Sequence, residues 1–201
     1  MSTRLTRATL VRRGLAGGGA LAVSGSLAAA FAAPASALTA PDGDVAALRL
    51  LIGAELLALD FQAQALAGGT LGAKSAALFK ELHADEQAHY NGLADLMGQA
   101  GQIPATADDI DFSYPKGTFD SEASILKSAE ELEALQLGAF VGANSSVQTP
   151  QLRTAIAQIT ACEAQHVSAL AVYAGRPAIG KAFSPALSSA SVTTVLDAYE
   201  S

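Results

Sequence analysis

Cysteine, tryptophan and aromatic residues are all scarce in this chain. Its 201 residues include one cysteine and no tryptophan, and aromatic residues make up 5% of the total. The single cysteine, Cys162, excludes an intrachain disulfide framework; we interpret it as a small buried helix residue, with a redox role as the alternative. The abundance of alanine and leucine favours helices over sheet. Half of the residues are hydrophobic, which is enough for one domain with its own core.

The N-terminal segment has the pattern of an export signal. It begins with a basic stretch and continues from residue 14 to residue 41 without a charged side chain. Ala35-Ser36-Ala37 has the form of a cleavage site, so we predict a signal peptide over residues 1–37 and a mature chain that begins at Leu38. The basic stretch contains Arg4, Arg7, Arg12 and Arg13.

The paired arginines Arg12 and Arg13, followed by Gly14 and Leu15, resemble a twin-arginine (Tat) signal. Val11 stands where Ser or Thr is usual, and an ordinary Sec signal is the alternative. We therefore expect the Tat translocase to be a partner during export. The expected location of the mature protein is the periplasm, the cell envelope or the extracellular space.

Basic residues are few once this segment is removed. The whole chain has 12 basic and 19 acidic residues, and all four arginines of the signal belong to the first group. The 8 that remain form no basic patch, so we expect no nucleic acid as a partner. The oligomeric state is left open by the sequence.

Four segments of the mature chain have the hydrophobic periodicity of bundle helices. We predict helices at about residues 45–67, 71–100, 121–142 and 150–175. Their expected N-terminal caps are Asp44, Thr70, the Asp120-Ser121 pair and Thr149 followed by Pro150. The bundle domain is thus predicted over residues 38–175.

The two irregular segments of the mature chain have different expected roles. Residues 102–118 contain two prolines and are predicted to form a long crossover loop that spans the bundle. Its aspartates are interpreted as a solvated cluster, with a calcium site as the alternative. Residues 176–201 are predicted to form a strap with one short helix on the bundle. The aspartates are Asp108, Asp109 and Asp111, and the strap residues expected to pack are Phe183, Val192, Val195 and Leu196.

Six ionisable residues occupy positions in the apolar stripes of these helices. Two helices each carry a Glu-x-x-His pair, whose members lie on one helix face, and the other two each carry a single glutamate. Unpaired, such buried groups are costly. Two divalent cations would cancel the charge of four carboxylates, and oxygen ligands with one imidazole per metal favour iron or manganese, with zinc still possible. The six are Glu55, Glu86, His89, Glu133, Glu163 and His166.

The alternative to a metal site is an inert bundle with a buried network of Glu–His ion pairs. Other ionisable residues near the stripes fall outside them. His83 is expected to be exposed, and Glu130 and Glu131 are expected to be solvated.

Three stretches of the chain resemble the ferritin-like superfamily: residues 81–89, residues 139–143, and residues 163–166 followed by Ala169 and Leu170. More narrowly, they are similar to the exported ferritin-like domain proteins, a group that overlaps the desiccation-related proteins. The resemblance covers the four helices but not the tail. It implies an all-α, ferritin-like four-helix bundle with a long crossover loop between its second and third helices and a C-terminal strap.

The resemblance also implies a role for each site residue. Glu55 and Glu133 would be terminal ligands, Glu86 and Glu163 would bridge two metals, and each histidine would bind one. The family often has tyrosine seven residues after each terminal glutamate, where this chain has Gln62 and Phe140, which speaks against a tyrosyl-radical role. Relatives often have an aspartate before the first bridging glutamate, and Asp85 is expected to hold His166. Cys162 stands at the equivalent place in the other half.

The expected activity is redox chemistry of a dinuclear centre with oxygen or peroxide, of a ferroxidase-like, peroxidase-like or catalase-like kind. One alternative is a protein that sequesters metal without turnover. Another is a structural stress or desiccation protein with a vestigial site. Whether the protein is an enzyme therefore stays open at this point.

Overall fold

The computed structural model describes residues 38–200, so the predicted signal peptide lies outside the described residues. Within this range there are five α-helices and a short 3-10 turn at Ala107–Asp109. None of these helices has both the length and the apolar character needed to cross a membrane. The helices are α1 (Asp42–Ala67), α2 (Ala73–Gln99), α3 (Glu122–Ser146), α4 (Pro150–Tyr173) and α5 (Ser189–Asp197).

The first four helices form a bundle of two packed hairpins. α1 packs against α2 and α3 packs against α4, while α1 with α3 and α2 with α4 close the remaining sides. The apolar stripes of all four helices point into one core, which includes Leu48, Phe79, Phe140 and Ile156, each 0% exposed. The prediction of an all-α four-helix bundle is therefore confirmed.

The predicted cap of the first helix is wrong. α1 begins at Asp42, and Asp44 lies in its first turn rather than at the N-cap. The Asp44 carboxylate instead accepts hydrogen bonds from the backbone N–H of Gln148 and from the N–H and hydroxyl of Thr149, the last at 2.5 Å. Burial raises the pKa of Asp44, but these bonds outweigh it and lower the pKa. The carboxylate thus joins the starts of α1 and α4, where free N–H groups need acceptors.

Two other helix boundaries differ from those predicted. α2 begins at Ala73 with Gly72 as its N-cap, because the Thr70 hydroxyl donates to the carbonyl of Phe119 instead of capping the helix. α3 begins after Ser121 as predicted but continues to Ser146, past Gly142. Gly142 does not end the helix.

The glycines of α3 serve a close contact with the strap. Leu187 donates its backbone N–H to the carbonyl of Gly138 at 2.9 Å. A Cβ atom on Gly142 would collide with the backbone of Leu187, and one on Gly138 would collide with its side chain. Only glycine, which has no side chain, allows Leu187 to approach α3 this closely. Gly138 and Gly142 therefore serve packing within the helix and do not end it.

The crossover loop spans the bundle as predicted. It leaves the end of α2, where Leu38 donates to the carbonyl of Gln99, and reaches the opposite end, where Ser75 bonds Glu122. The hydroxyl of Tyr114 holds the loop by donating to Asp60 of α1 at 2.8 Å. α3 consequently runs parallel to α2.

The strap has the predicted short helix but not all the predicted contacts. Val192 and Leu196 of α5 are buried and Val195 is half-buried, whereas Phe183 is 89% exposed. The expectation that Phe183 packs on the bundle is wrong. Beyond the position of Phe183, the strap lies against Gly138 of α3 through the backbone of Pro185 and through Leu187.

Candidate metal centre

The four bundle helices bring the six predicted site residues to one place. α1 contributes Glu55, α2 contributes Glu86 and His89, α3 contributes Glu133, and α4 contributes Glu163 and His166. All six side chains are buried, and the most accessible, His166, is 4% exposed. The three- and four-residue steps of each stripe turn these polar groups inward together with their apolar neighbours.

The donor atoms fall into two overlapping groups. Glu55, Glu86, His89 and Glu163 each offer one atom within 4.8 Å of the others. A second group has the same property and consists of Glu86, Glu133, Glu163 and His166. Glu86 and Glu163 belong to both groups, so their carboxylates lie between the two.

The two imidazoles face the carboxylates through the same ring nitrogen. Nδ1 of His89 lies 3.1 Å from Glu163 Oε1 and 3.4 Å from Glu86 Oε2. Nδ1 of His166 lies 3.1 Å from both Glu86 Oε1 and Glu133 Oε2. The ring centroids are 5.9 Å apart. Each half of the cluster therefore has one imidazole nitrogen directed at the shared carboxylates.

Several buried polar atoms of the cluster have no hydrogen bond within the described part of the chain. They include Oε1 of Glu55, both carboxylate oxygens of Glu163 and both ring nitrogens of His89. The Nδ1 of His89 is close to Glu163 but lacks hydrogen-bond geometry. Buried polar atoms normally have partners. Donor atoms that converge on one place without hydrogen bonds between them are suited to bind a common cation. These residues therefore fit a metal site.

Burial and mutual repulsion act strongly on the carboxylates. Burial raises the pKa of Glu55 and of Glu133 well above the usual range of a carboxyl group, and the charge of Glu86 raises both further. Burial acts on Glu86 in the same direction, but the neighbouring Glu55, His166 and His89 side chains outweigh it and lower its pKa well below that range. Glu55 and Glu133 thus hold protons more readily than Glu86 does.

The pKa values of the two histidines are raised, whereas burial alone would lower the pKa of an imidazole. Burial disfavours their charge, yet Cys162 and Glu163 beside His89 raise its pKa well above the usual value. Asp85 and Cys162 raise the pKa of His166 in the same way. A metal bound by these nitrogens would displace the protons that they hold, so its affinity would increase as pH rises.

Two glutamines support the carboxylates, one on each side. The predicted neighbour Gln62 donates from Nε2 to Glu133 Oε1 at 3.2 Å. Gln136 donates to Glu55 Oε2 at 3.3 Å and to Glu86 Oε2 at 3.2 Å. Gln136 was not among the predicted site residues. Its position three residues after Glu133, on the same helix face, was a usable signal.

The outer nitrogen of His166 is held, whereas that of His89 is not. Nε2 of His166 lies 3.3 Å from Asp85 Oδ2, as expected, and 3.4 Å from the Sγ of Cys162. Nε2 of His89 has no hydrogen bond with any described residue. Cys162 is half-buried rather than fully buried. The contact between this thiol and His166 was not foreseen.

The remaining candidates lie outside the cluster. Phe140 is fully buried in the core. His83 is half-buried instead of exposed and joins neither donor group. Glu131 is exposed, as expected. Glu130 was also expected to be solvated, but it is half-buried and pairs with Arg176 of the strap. Asp109 caps the short turn by accepting from the N–H and hydroxyl of Thr106.

Comparison with known proteins identifies a family. A family model described as a ferritin-like domain matches residues 43–176, a range that contains all six cluster residues. A comparison with curated proteins finds no match.

Proposed function

Because the chain belongs to the ferritin-like domain family, we propose that its buried cluster holds two iron or manganese ions and performs redox chemistry with oxygen or peroxide. The observation that carries the proposal is the sharing of Glu86 and Glu163 between two donor groups, each completed by one glutamate and one histidine. Ion pairs alone do not require two such groups around common carboxylates.

The proposed ligand roles follow from this sharing. Glu86 and Glu163 would be shared by both ions, Glu55 and Glu133 would each serve one ion, and Nδ1 of each histidine would complete one half. Four carboxylates and two divalent cations cancel in charge, which offsets the cost of burying the acids. Oxygen donors with one imidazole per metal suit iron and manganese, and zinc can also be accommodated.

The residues of the chain prepare the site in three ways. Their burial excludes bulk water, the two glutamines fix carboxylate oxygens, and the histidine nitrogens converge on the shared carboxylates. When bound, two iron or manganese ions supply the electrons that reduce an oxidant. Gln62 and Phe140 occupy the positions where the resemblance gives tyrosine, so the proposed chemistry does not use a phenol there.

Metal analysis of protein purified without chelator tests the proposal. We expect iron or manganese, and we expect the absorption spectrum of the loaded protein to change on addition of peroxide or oxygen. A loaded site that does not respond to either oxidant would indicate sequestration. Protein that neither retains nor takes up metal would indicate a structural bundle.

Export through the Tat route is a second part of the proposal and rests on the sequence of residues 1–37. The Tat machinery carries folded proteins, so metals could be bound before export. Replacing Arg12 and Arg13 together by lysine is expected to block export, and mass spectrometry of exported wild-type protein is expected to find Leu38 at its N-terminus. Undiminished export of the double variant would indicate the Sec route.

A further inference from the structure

A third group of metal-ligating side chains lies on the outer side of His166. Asp85 of α2, Cys162 of α4 and Nε2 of His166 offer one donor atom each, and these atoms lie within 4.8 Å of one another. The Asp85 side chain is 37% exposed, and Cys162 is half-buried. The group is therefore open to solvent, unlike the inner cluster.

The three donor atoms have the separations of ligands around one tetrahedral ion. Metal distances of about 2.0–2.1 Å to nitrogen or oxygen and about 2.3 Å to sulfur give edges of about 3.3 Å for N···O and about 3.6 Å for pairs with sulfur. The observed separations are 3.3 Å for Nε2···Oδ2, 3.4 Å for Sγ···Nε2 and 3.9 Å for Sγ···Oδ2. The Sγ···Oδ2 separation of 3.9 Å is long for a hydrogen bond but close to the edge expected between two ligands of a tetrahedral ion.

We propose that Asp85, Cys162 and His166 form an outer metal site for a thiophilic divalent cation of the zinc or cobalt class. A sulfur, a nitrogen and an oxygen donor select such ions over manganese, and the inner cluster offers no sulfur. Three protein ligands leave a fourth position for water. With one ligand on the surface, the ion is exchangeable.

The outer site and the His166 half of the inner centre compete for one imidazole. This part rests on the function proposed above. A neutral imidazole has one unprotonated nitrogen. Binding inside uses Nδ1 and leaves Nε2–H to donate to Asp85, whereas binding outside uses Nε2 and leaves Nδ1–H to donate to Glu86 or Glu133. An ion in the outer site therefore removes one ligand from the inner centre.

Cobalt titration of the full chain, stripped of metal and with its thiol reduced, tests the outer site. Cys162 is the only cysteine, so a sulfur-to-cobalt charge-transfer band reports on this site alone. We expect one equivalent of cobalt per chain to produce the band. Zinc should abolish it by displacement. Absence of the band at saturating cobalt overturns the proposal.

Three variants identify the ligands. Cys162→Ser should lose the band, and Asp85→Asn should require more cobalt for the same intensity. Glu55→Gln removes a donor from the far half of the inner cluster and is the matched control, so it should retain the band. Unchanged cobalt affinity in Asp85→Asn would remove Asp85 from the site. Circular dichroism should confirm that each variant is folded.

Competition is measured by loading two equivalents of ferrous iron without oxygen and then adding cobalt. The expected result is that the sulfur-to-cobalt band appears in the wild type as one iron equivalent is released, whereas Cys162→Ser shows no band. A full band with both iron equivalents retained would overturn the competition. If no iron binds in either protein while the cobalt band is present, the dinuclear centre fails and the outer site stands.

Discussion

The His89 half and the His166 half of the cluster have the same inner donors but different surroundings. Each has one terminal glutamate, one imidazole and a share of Glu86 and Glu163. The outer nitrogen of His166 contacts Asp85 and Cys162 near the surface, whereas that of His89 has no bond to any described residue. The inner donors set what the cluster can bind, and the outer contacts make the halves unequal.

The inequality comes from one pair of corresponding positions in the two helices that carry a Glu-x-x-His pair. Asp85 precedes Glu86 in α2, and Cys162 precedes Glu163 in α4. A carboxylate accepts a hydrogen bond from an imidazole N–H strongly, and a thiol does so weakly. The His166 half should therefore hold its metal more tightly when no thiophilic ion is present.

The largest effect should come from removing what the halves share. Glu163→Gln takes a donor from both groups, so we expect loss of both metals, whereas Glu55→Gln and Glu133→Gln should each lose one. Elemental analysis after anaerobic loading with ferrous iron measures this. The amide keeps the size of the side chain, so packing is preserved. Retention of one full equivalent in Glu163→Gln would contradict a bridging role.

Removing each histidine separates the halves. His89→Ala and His166→Ala should each lose one metal and leave the other partly bound, with some loss of stability because a carboxylate-rich pocket is left with uncompensated charge. Metal counting by native mass spectrometry, with thermal unfolding alongside, measures both effects. Near-wild-type metal content in both variants would show that neither imidazole is a ligand.

The outer partners should give a smaller effect that differs between the halves. Asp85→Ala should weaken binding of the His166 metal by about ten- to a hundredfold, as is typical for groups that orient a metal-bound histidine. Cys162→Ala should change inner binding little in buffer free of zinc. Titration with manganese, followed by electron paramagnetic resonance, measures both. Equal affinities in the two variants would remove the asymmetry.

The smallest effect should come from the glutamines. Gln136→Leu removes a donor from both Glu55 and Glu86, whereas Gln62→Leu affects only Glu133. We expect Gln136→Leu to weaken metal binding more, with both changes near or below about tenfold. The same manganese titration compares them. A larger effect of Gln62→Leu would reverse the assigned roles.

Much of the bundle and the convergence of the six inner residues could be predicted because these residues follow the periodicity of their helices. A glutamate in an apolar stripe must face the core once the helix packs, so Glu133 was separated from its neighbour Glu131 by spacing alone. The crossover followed from loop length and the positions of prolines. These features depend on one helix at a time.

The errors concern contacts between distant segments. Asp44 has the local signal of a cap, but the start of α4 provides N–H groups that local sequence does not reveal. Gly142 looks like a helix end and instead admits the strap. Cys162 and His166 lie four residues apart on α4, so their contact is local. The two become part of a group of metal-ligating side chains only because Asp85 of α2 packs beside them. Such contacts require the packed arrangement.

The most direct test of the dinuclear centre is anomalous diffraction from crystals of iron- or manganese-loaded protein, with data collected at the metal edge. Two anomalous peaks are expected, both within coordination distance of Glu86 and Glu163. One should lie beside Nδ1 of His89 and the other beside Nδ1 of His166. A single peak, or peaks only at surface acids with the inner carboxylates unliganded, would contradict the central claim.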